Sequence, residues 1–372
     1  MANASVTEEQ VLDALRGIQD PDLNRDIVTL GFIKDLSLNG SEVSFTIELT
    51  TPACPVKEEM QAQAERLVGE LAGVERVSVR MTAQVPPGRV MADRQAIPGV
   101  KNFIAVASGK GGVGKSTVAV NLALALQQYG AAVGLMDSDI FGPSVPLMMN
   151  IAGQPKVTEG NRILPMQNYG VKVISMGLLL GDRDDTPIIW RGPMVMQAVT
   201  QFIQGVDWGE LDYLVVDMPP GTGDAHLTLT QRVPLTGAVI VTTPQDIALL
   251  DAKKGLQMFN KVETPILGII ENMSYFLCPH CGERSEIFGY GGGRRMADQY
   301  EVPFLGEIPL DIRIREHGDE GRPIVYADPE SPVAEAFRKL AGAVAARISM
   351  INIGEGTADR PDSTTFIPLK MG

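Results

Sequence analysis

Cysteine is scarce in this chain: three residues among 372. So few cannot form the disulfide framework that supports small secreted domains. Positive charge is also in short supply. Thirty-two Lys and Arg against forty-five Asp and Glu leave a formal net charge of −13. That balance disfavours general binding to nucleic-acid phosphates or an anionic membrane face unless basic groups cluster locally. At 21% charged residues the chain is not a disordered polyanion either. No stretch approaches the roughly 18 uninterrupted apolar residues of a spanning helix, and the Met1 end lacks the basic-then-apolar pattern of a secretory leader. The cytoplasm is the expected location. No low-complexity segment and no internal repeat is visible, which excludes solenoids and propellers.

What is present is apolar material, 44% in the AVILMFWYC set, enough for sizeable cores. At roughly 150 residues per domain, two or three domains are expected. Residues 1–83 read as a small α/β domain. The spacing of Val11, Leu12 and Leu15 predicts a helix over Glu8–Leu15 with Thr7 as N-cap. Two strand-like runs, Phe32–Leu38 and Val43–Leu49, flank Asn39-Gly40, a tight-hairpin signal because both residues tolerate positive φ. A second helix over Lys57–Leu71 and a looser strand over Val74–Met81 follow. Prolines and glycines mark residues 84–99 as a linker.

From residue 100 to 350 the texture changes to short apolar runs separated by helices. This predicts an α/β domain with a mostly parallel sheet covered by helices on both faces. The expected strands are Phe103–Ala107, Val133–Met136, Leu214–Val216, Ala238–Thr242 and Ile266–Ile270, with crossover helices such as Thr117–Tyr129 and Ile247–Asn260. Residues 351–372 show no periodicity and are expected to form a flexible tail.

Ser108-Gly-Lys-Gly-Gly-Val-Gly-Lys-Ser-Thr117 lies between a strand and a helix, the context of a phosphate-binding loop. Gly109, Gly111, Gly112 and Gly114, with Val113 between the last two, allow backbone N–H groups to turn onto phosphate oxygens, and the following helix adds its positive end. Lys115 can reach β- and γ-phosphates, Ser116 can ligate Mg²⁺, and Thr117 caps phosphate on the same turn. ATP with Mg²⁺ is the expected cofactor pair. Asp137 and Asp139 follow one strand and Asp217 ends another, where open α/β sheets bind ligands. Asp217 reads as the carboxylate of the Mg²⁺ shell; for an aspartate so placed the alternative is a helix cap or turn former. Met218-Pro-Pro-Gly-Thr-Gly-Asp224 reads as a switch loop sensing the γ-phosphate. Asn272 ends a further strand and is otherwise an ordinary turn residue.

Cys278-Pro-His-Cys281-Gly supplies two thiols where structural zinc and iron-sulfur clusters normally take four protein ligands. Cys54 stands alone in the first domain, and His226 and His317 have no ligand spacing. A two-fold axis would complete a four-cysteine site from two chains. A redox dithiol and a zinc knuckle, with His280 as a further ligand, are the competing readings of the motif. Cys54 precedes the Lys57 helix, where a thiolate is stabilised by the helix N-terminus. It reads either as a transient metal or cluster ligand or as a small buried hydrophobe.

The loop with its second lysine, Lys110, resembles the deviant Walker A motif of dimeric ATPases that include MinD, ParA and the Mrp/ApbC carriers. Trp190-Arg-Gly-Pro-Met194, Asp217–Asp224, Glu271-Asn-Met-Ser274 before Cys278-Pro-His-Cys281, and Ile308-Pro-Leu-Asp311 narrow the resemblance to the Mrp/ApbC iron-sulfur cluster carriers. The first domain, with Asp20-Pro-Asp22 and Thr50-Thr-Pro-Ala-Cys54-Pro, is similar to the domain at the N-terminus of bacterial Mrp proteins and in eukaryotic cytosolic iron-sulfur targeting factors. The resemblance implies slow ATP hydrolysis by a homodimer, with Lys110 reaching the partner's nucleotide, Asp139, with Asp137 as second choice, positioning water and Asn272 reading the adenine edge. It further implies one cluster per dimer, preferably 4Fe-4S, held by Cys278 and Cys281. The implied partners are apo iron-sulfur proteins and assembly scaffolds, with no nucleic acid and no membrane. A MinD- or ParA-like positioning role would call for a basic amphipathic tail; residues 352–372 offer only Arg360 and Lys370 beside Glu355, Asp359 and Asp362. A P-loop ATPase stapled by purely structural zinc is the other alternative.

Overall fold

Thr7 opens the first helix. Its hydroxyl accepts from the Gln10 backbone N–H while the Gln10 side chain accepts from the Thr7 N–H, a reciprocal capping box. Helix α1 (Glu8–Leu15) buries Val11 and Leu15, as their spacing predicts. The computed structural model describes residues 6–88, 97–139, 142–180, 205–221, 226, 229–230 and 232–354. The Trp190–Met194 motif, the switch-loop residues 222–224, linker residues 89–96 and tail residues 355–372 lie outside them.

Contacts divide the chain into two units: Met1–Thr50, Val56–Pro86 and Ala346–Gly372 in one, Thr51–Pro55 and Pro87–Ala345 in the other. In the first, β1 (Gln19–Asp20) and β2 (Arg25–Asp26) form a short antiparallel ladder. Strands β3 (Ile33–Asn39), β4 (Glu42–Leu49) and β5 (Arg76–Ala83) form a sheet in that order. β3 and β4 are an antiparallel hairpin, whereas β5 runs parallel to β4. Parallel pairing needs a crossover, and α2 (Lys57–Gly69) supplies it, burying Met60, Ala64 and Val68 at a four-residue spacing. The hairpin turn falls one residue later than the sequence suggests. Asn39 pairs with Glu42, so Gly40 and Ser41 form the loop, and of Asn39 and Gly40 only Gly40 has positive φ, +66°. Glycine at the first loop position is enough for such a turn, so Asn39 stays in the strand.

The second unit holds an eight-stranded sheet. Its strands are β6 (Val100–Ala107), β7 (Val133–Asp137), β8 (Met166–Asn168), β9 (Val171–Ser175), β10 (Leu211–Asp217), β11 (Gly237–Thr242), β12 (Ile266–Glu271) and β15 (Phe304–Glu307). The spatial order is β15-β12-β11-β6-β10-β7-β9-β8. All neighbours are parallel except β8 against β9. Every residue of β7 and β11 is buried, as continuous apolar runs covered on both faces require.

Helix α3 (Lys115–Gln128) follows β6 and is buried almost all round from Val118 to Leu126. Short helices α4 (Val145–Met148) and α5 (Met176–Leu180) come next, then α6 (Asp246–Lys261), α7 (Gly292–Gln299), α8 (Ile312–Asp319), α9 (Ile324–Ala327) and α10 (Pro332–Ile353). Helix α10 includes residues 351–353, which the sequence alone assigns to the tail. Strands β8, β9 and β15 are not expected from the sequence: β8 and β15 are three and four residues long, and β9 interrupts its apolar run with Lys172. Among the described residues no helix is long and apolar enough to cross a membrane.

The chain leaves β6 through α3 to β7 on one side, and β11 lies on the other side of β6. The carboxyl end of β6 therefore lies at a topological switch point, the place where such sheets bind ligands. Ser108, Asp137, Asp217 and Asn272 all sit at or just beyond carboxyl ends of strands in this sheet.

Candidate functional site

The loop from Ser108 to Gly114 is shaped by its glycines. Gly112 and Gly114 have φ of +81° and +80°, the left-handed region. A β-carbon on Gly109 would collide with the backbone of Asp251 and Ala252 in α6, and one on Gly114 with the amide nitrogen of Asn272. The Ser108 hydroxyl donates to the Lys110 carbonyl at 2.9 Å, fixing the first turn. Gly114 caps α3 without a side-chain hydrogen bond, which leaves the N–H groups of the first helical turn without a side-chain cap, an arrangement suited to an anion.

Lys115 is 6% exposed. Its Nζ donates to Asp217 Oδ1 at 2.5 Å and to Ser116 Oγ at 3.1 Å, and lies 4.0 Å from Asp139 Oδ2. Asp217 is fully buried, and its Oδ2 has no hydrogen-bond partner among the described residues. An orphaned carboxylate oxygen beside a serine hydroxyl is the hard-oxygen donor set that suits Mg²⁺. Burial raises the Asp217 carboxyl above the usual range, against the lowering effect of Lys115. Asp137, also fully buried, is pushed up to about 7, first by burial and then by the charge of Asp217. It accepts from Ser175 Oγ at 2.8 Å and from the Asp139 N–H at 3.1 Å. Asp137 thus braces the turn carrying Asp139, while Asp139 itself is the aspartate within reach of Lys115.

Asn272 donates from Nδ2 to the Val113 carbonyl at 2.8 Å, tying β12 to the glycine loop. With Gly114, Thr117, Met148, Pro309 and Arg315 it lines a cavity of about 230 Å³. Glu271, directly before it, is fully buried. Its Oε1 accepts from Ser274 Oγ at 2.6 Å and from the Gly291 N–H at 3.1 Å, and its Oε2 from the Gly293 N–H at 2.5 Å.

The cysteine pair closes a hairpin. Strands β13 (Phe276–Leu277) and β14 (Arg284–Ser285) pair antiparallel. At the tip the Cys278 N–H donates to the Glu283 carbonyl and the Gly282 N–H to the Cys278 carbonyl. Cys281 is exposed and Cys278 half-buried. The His280 N–H, then the Cys281 N–H, hold the Cys278 thiol below its ordinary pKa, which favours the thiolate that ligates metals. Among the described residues no group of three or more His, Cys, Asp or Glu is arranged to hold a metal ion. Cys54 is 6% exposed, and the N-cap of α2 is Val56, without a side-chain cap bond.

A family model described as NUBPL iron-transfer P-loop NTPase matches residues 99–345. The chain belongs to that family. A second model, described as iron-sulfur cluster assembly protein, matches residues 8–79. The chain is 51% identical over 350 residues to the iron-sulfur cluster carrier protein of Synechocystis, covering 93% of this chain and 99% of that one. It is 53% identical over 262 residues to the iron-sulfur cluster transfer protein NUBPL of Dictyostelium discoideum, covering 70% and 80%. Among solved structures, a nucleotide-binding protein of Archaeoglobus fulgidus in complex with ADP is similar, at 39% identity and a TM-score of 0.57. That match covers 65% of this chain and 93% of the other.

The glycine loop, Lys115, Ser116, Asp137, Asp139, Asp217 and Asn272 therefore converge, whereas Cys278 and Cys281 lie on a separate hairpin of the same unit. Two residues escape a reading of the sequence alone. Glu271 stands there only as part of a motif, although a glutamate ending an apolar strand is costly unless partnered, and that cost is the available signal. His226, expected to be structural or at the surface, is 2% exposed, with Nε2 against the Pro219 carbonyl and Nδ1 without a hydrogen-bond partner among the described residues. Burial lowers its pKa. Nothing in the spacing around His226 marks it out.

Proposed function

We propose that this protein is an ATP-dependent carrier that holds an iron-sulfur cluster between two copies of itself and passes it to apo-proteins. The observation that carries the reading is the half-site at the hairpin tip. Cys278 and Cys281 are accessible, Cys278 is biased towards thiolate, and no third ligand joins them among the described residues. A four-thiolate site then takes two chains. Family membership supports iron rather than a redox dithiol.

In the nucleotide site, Gly109, Gly111, Gly112, Val113 and Gly114 present the backbone to phosphates, and Lys115 and Thr117 hold the β- and γ-phosphates. Ser116 and Asp217 hold Mg²⁺, which neutralises charge developing on those phosphates. Asn272, at the wall of the 230 Å³ cavity, contacts the adenine edge. Asp139 positions the attacking water. Lys110 forms no ion pair among the described residues, so its charge is free to act across a dimer on the partner's γ-phosphate, as an arginine finger does. ATP binding and hydrolysis then change dimer geometry and cluster exposure together, because both sites share one interface. Residues 1–83 receive or select assembly scaffolds and apo-acceptors in the cytoplasm.

The test is anaerobic purification followed by iron, sulfide and zinc counts, sizing, and transfer to an apo-4Fe-4S enzyme scored by its activation. One 4Fe-4S cluster per dimer with acceptor activation is expected. Stoichiometric zinc that resists replacement, without iron or sulfide, would leave only a structural metal and sink the carrier reading.

A further inference from the structure

The hairpin bearing Cys278 and Cys281 belongs to one long excursion of the chain between β12 and α7. Glu271 touches both of its ends. At the start, Oε1 accepts from Ser274, three residues on; at the finish, Oε1 and Oε2 accept from the N–H groups of Gly291 and Gly293, twenty and twenty-two residues on. These two glycines form the N-cap and second residue of α7, so the carboxylate charge meets the positive end of a helix in a fully buried place. Gly291 has φ of +68°, and a β-carbon on Gly293 would press on Glu271 itself at 3.1 Å. The chain is therefore shaped closely around this one carboxylate.

The same strand end also reaches the nucleotide site. Asn272, the next residue, holds the Val113 carbonyl of the glycine loop. From Glu271 to Phe276 the backbone is tied to the segment that follows β15. The Ile308 N–H donates to the Glu271 carbonyl, the Ser274 N–H to Ile308, and the Leu310 N–H to Tyr275. Phe276 and Leu310 form a further bridge. Pro309, Leu310 and Asp311 line the cavity beside Asn272 and Met273. One short stretch, hydrogen-bonded at Glu271, Asn272, Ser274 and Tyr275, thus has the nucleotide loop at one end and the cysteine hairpin at the other.

We infer that Glu271 is a positioning residue that couples the nucleotide site to the cysteines, by clasping the ends of the hairpin excursion so that a shift at Asn272 moves Cys278 and Cys281. The inference rests on the nucleotide and cluster roles proposed above. Glutamine in its place keeps size but offers one acceptor oxygen and an NH₂ group, which would face a backbone N–H of Gly291 or Gly293. The clasp then opens at one end while Asn272 stays in place.

The full-length protein, cluster-free and reduced, is alkylated with iodoacetamide with and without Mg-ATP, and the rates at Cys278 and Cys281 are read by mass spectrometry. In wild type, Mg-ATP is expected to change these rates by about fivefold or more, the usual size of coupling between linked sites. In Glu271→Gln the ratio is expected to fall to about 1, with ATP affinity within about threefold of wild type. Ser274→Ala, which opens only the near end, should give an intermediate ratio and guards against failure of the first variant to fold. Retention of the wild-type ratio in Glu271→Gln, or in Ser274→Ala where Glu271→Gln does not fold, overturns the inference, as does a wild-type ratio of 1. Cluster loading of wild type is measured separately, so failure of the carrier reading shows as absent iron while the alkylation result stands by itself.

Discussion

Lys115 Nζ lies 2.5 Å from Asp217 Oδ1 and 4.0 Å from Asp139 Oδ2, so a single buried cation serves two aspartates, one ending β10 and one just beyond the neighbouring β7. Removing one partner of a buried pair strands the other. Lys115→Ala is therefore expected to abolish ATP hydrolysis and also to destabilise the nucleotide-free protein, by up to about 3–5 kcal/mol if Asp217 stays ionised. Urea unfolding of the variant reads the second effect. An unchanged unfolding midpoint with intact slope would mean that Lys115 contributes only to the bound state.

Asp137 gives a pH dependence of definite sign. Its folded-state pKa is raised from 3.8 to about 7. Between about pH 4 and pH 7 the folded chain holds this proton more tightly than the unfolded chain, so stability falls as pH rises through that window. Asp137→Asn removes the penalty while keeping an acceptor for the Asp139 N–H, and the Ser175 hydroxyl can accept from the new amide. The variant is expected to be more stable than wild type at pH 7 by roughly 1–4 kcal/mol, with the advantage gone near pH 4. Denaturant titrations of EDTA-treated, nucleotide-free protein at several pH values check this. A wild-type stability that is flat from pH 4 to 7 would contradict it.

Much of this site is legible in the sequence because its physics is local. Four glycines ahead of Lys115-Ser116 need no tertiary context to specify a turn that bares N–H groups, and short apolar runs ending in Asp specify strand ends at a ligand-binding edge. Thr7 ahead of Val11, Leu12 and Leu15 likewise declares a helix start from local spacing alone. The remainder depends on distance along the chain. Beyond its neighbour Ser274, Glu271 is explained by Gly291 and Gly293, twenty and twenty-two residues on, and His226 by the Pro219 carbonyl it packs against. Strand β15 depends on β12 for its identity: four residues with Gly306 among them make no pattern alone.

Gly114 tests how tightly the nucleotide loop is held. Alanine there must adopt φ near +80° and would strike the Asn272 side chain. The left-handed conformation alone costs about 1–2 kcal/mol, and the Asn272–Val113 hydrogen bond has to break or move. Gly114→Ala is expected to weaken Mg-ATP binding by about tenfold or more, since 1.4 kcal/mol is a factor of ten. Calorimetric titration provides the measurement, and affinity equal to wild type would mean that the loop accommodates a β-carbon by moving Asn272.

Lys110 separates action within one chain from action across a dimer. If its charge acts only in the closed dimer, it stabilises the transition state more than the bound ground state. Lys110→Ala should then bind ATP within about threefold of wild type while turnover falls by about a hundredfold or more, in the range of arginine-finger losses. Mixing this variant with a hydrolysis-dead Lys115→Ala chain should restore part of the turnover. Such a heterodimer has one intact phosphate loop, on the chain that lacks its own Lys110, and the second chain still brings a lysine to it. Action within one chain predicts no such rescue. Equal turnover in wild type and the Lys110 variant at saturating ATP would remove the trans-acting role altogether.

The cysteines yield the sharpest expectation, because each chain offers two accessible thiols and a cluster takes four. In a bridged dimer, one substitution deletes two ligands at once. Cys278→Ala and Cys281→Ala should each lose the whole cluster from the dimer rather than half of the iron. ATP binding should persist, because the glycine loop and Lys115 lie on other strand ends. Cys54→Ala should retain the bridging cluster, since that buried thiol belongs to a different segment. Anaerobic reconstitution followed by iron and sulfide counts distinguishes the cases. Half-loading in the single variants, a full cluster on each monomer by sizing, or iron retained in the double variant would each rule out a cluster bridged by Cys278 and Cys281.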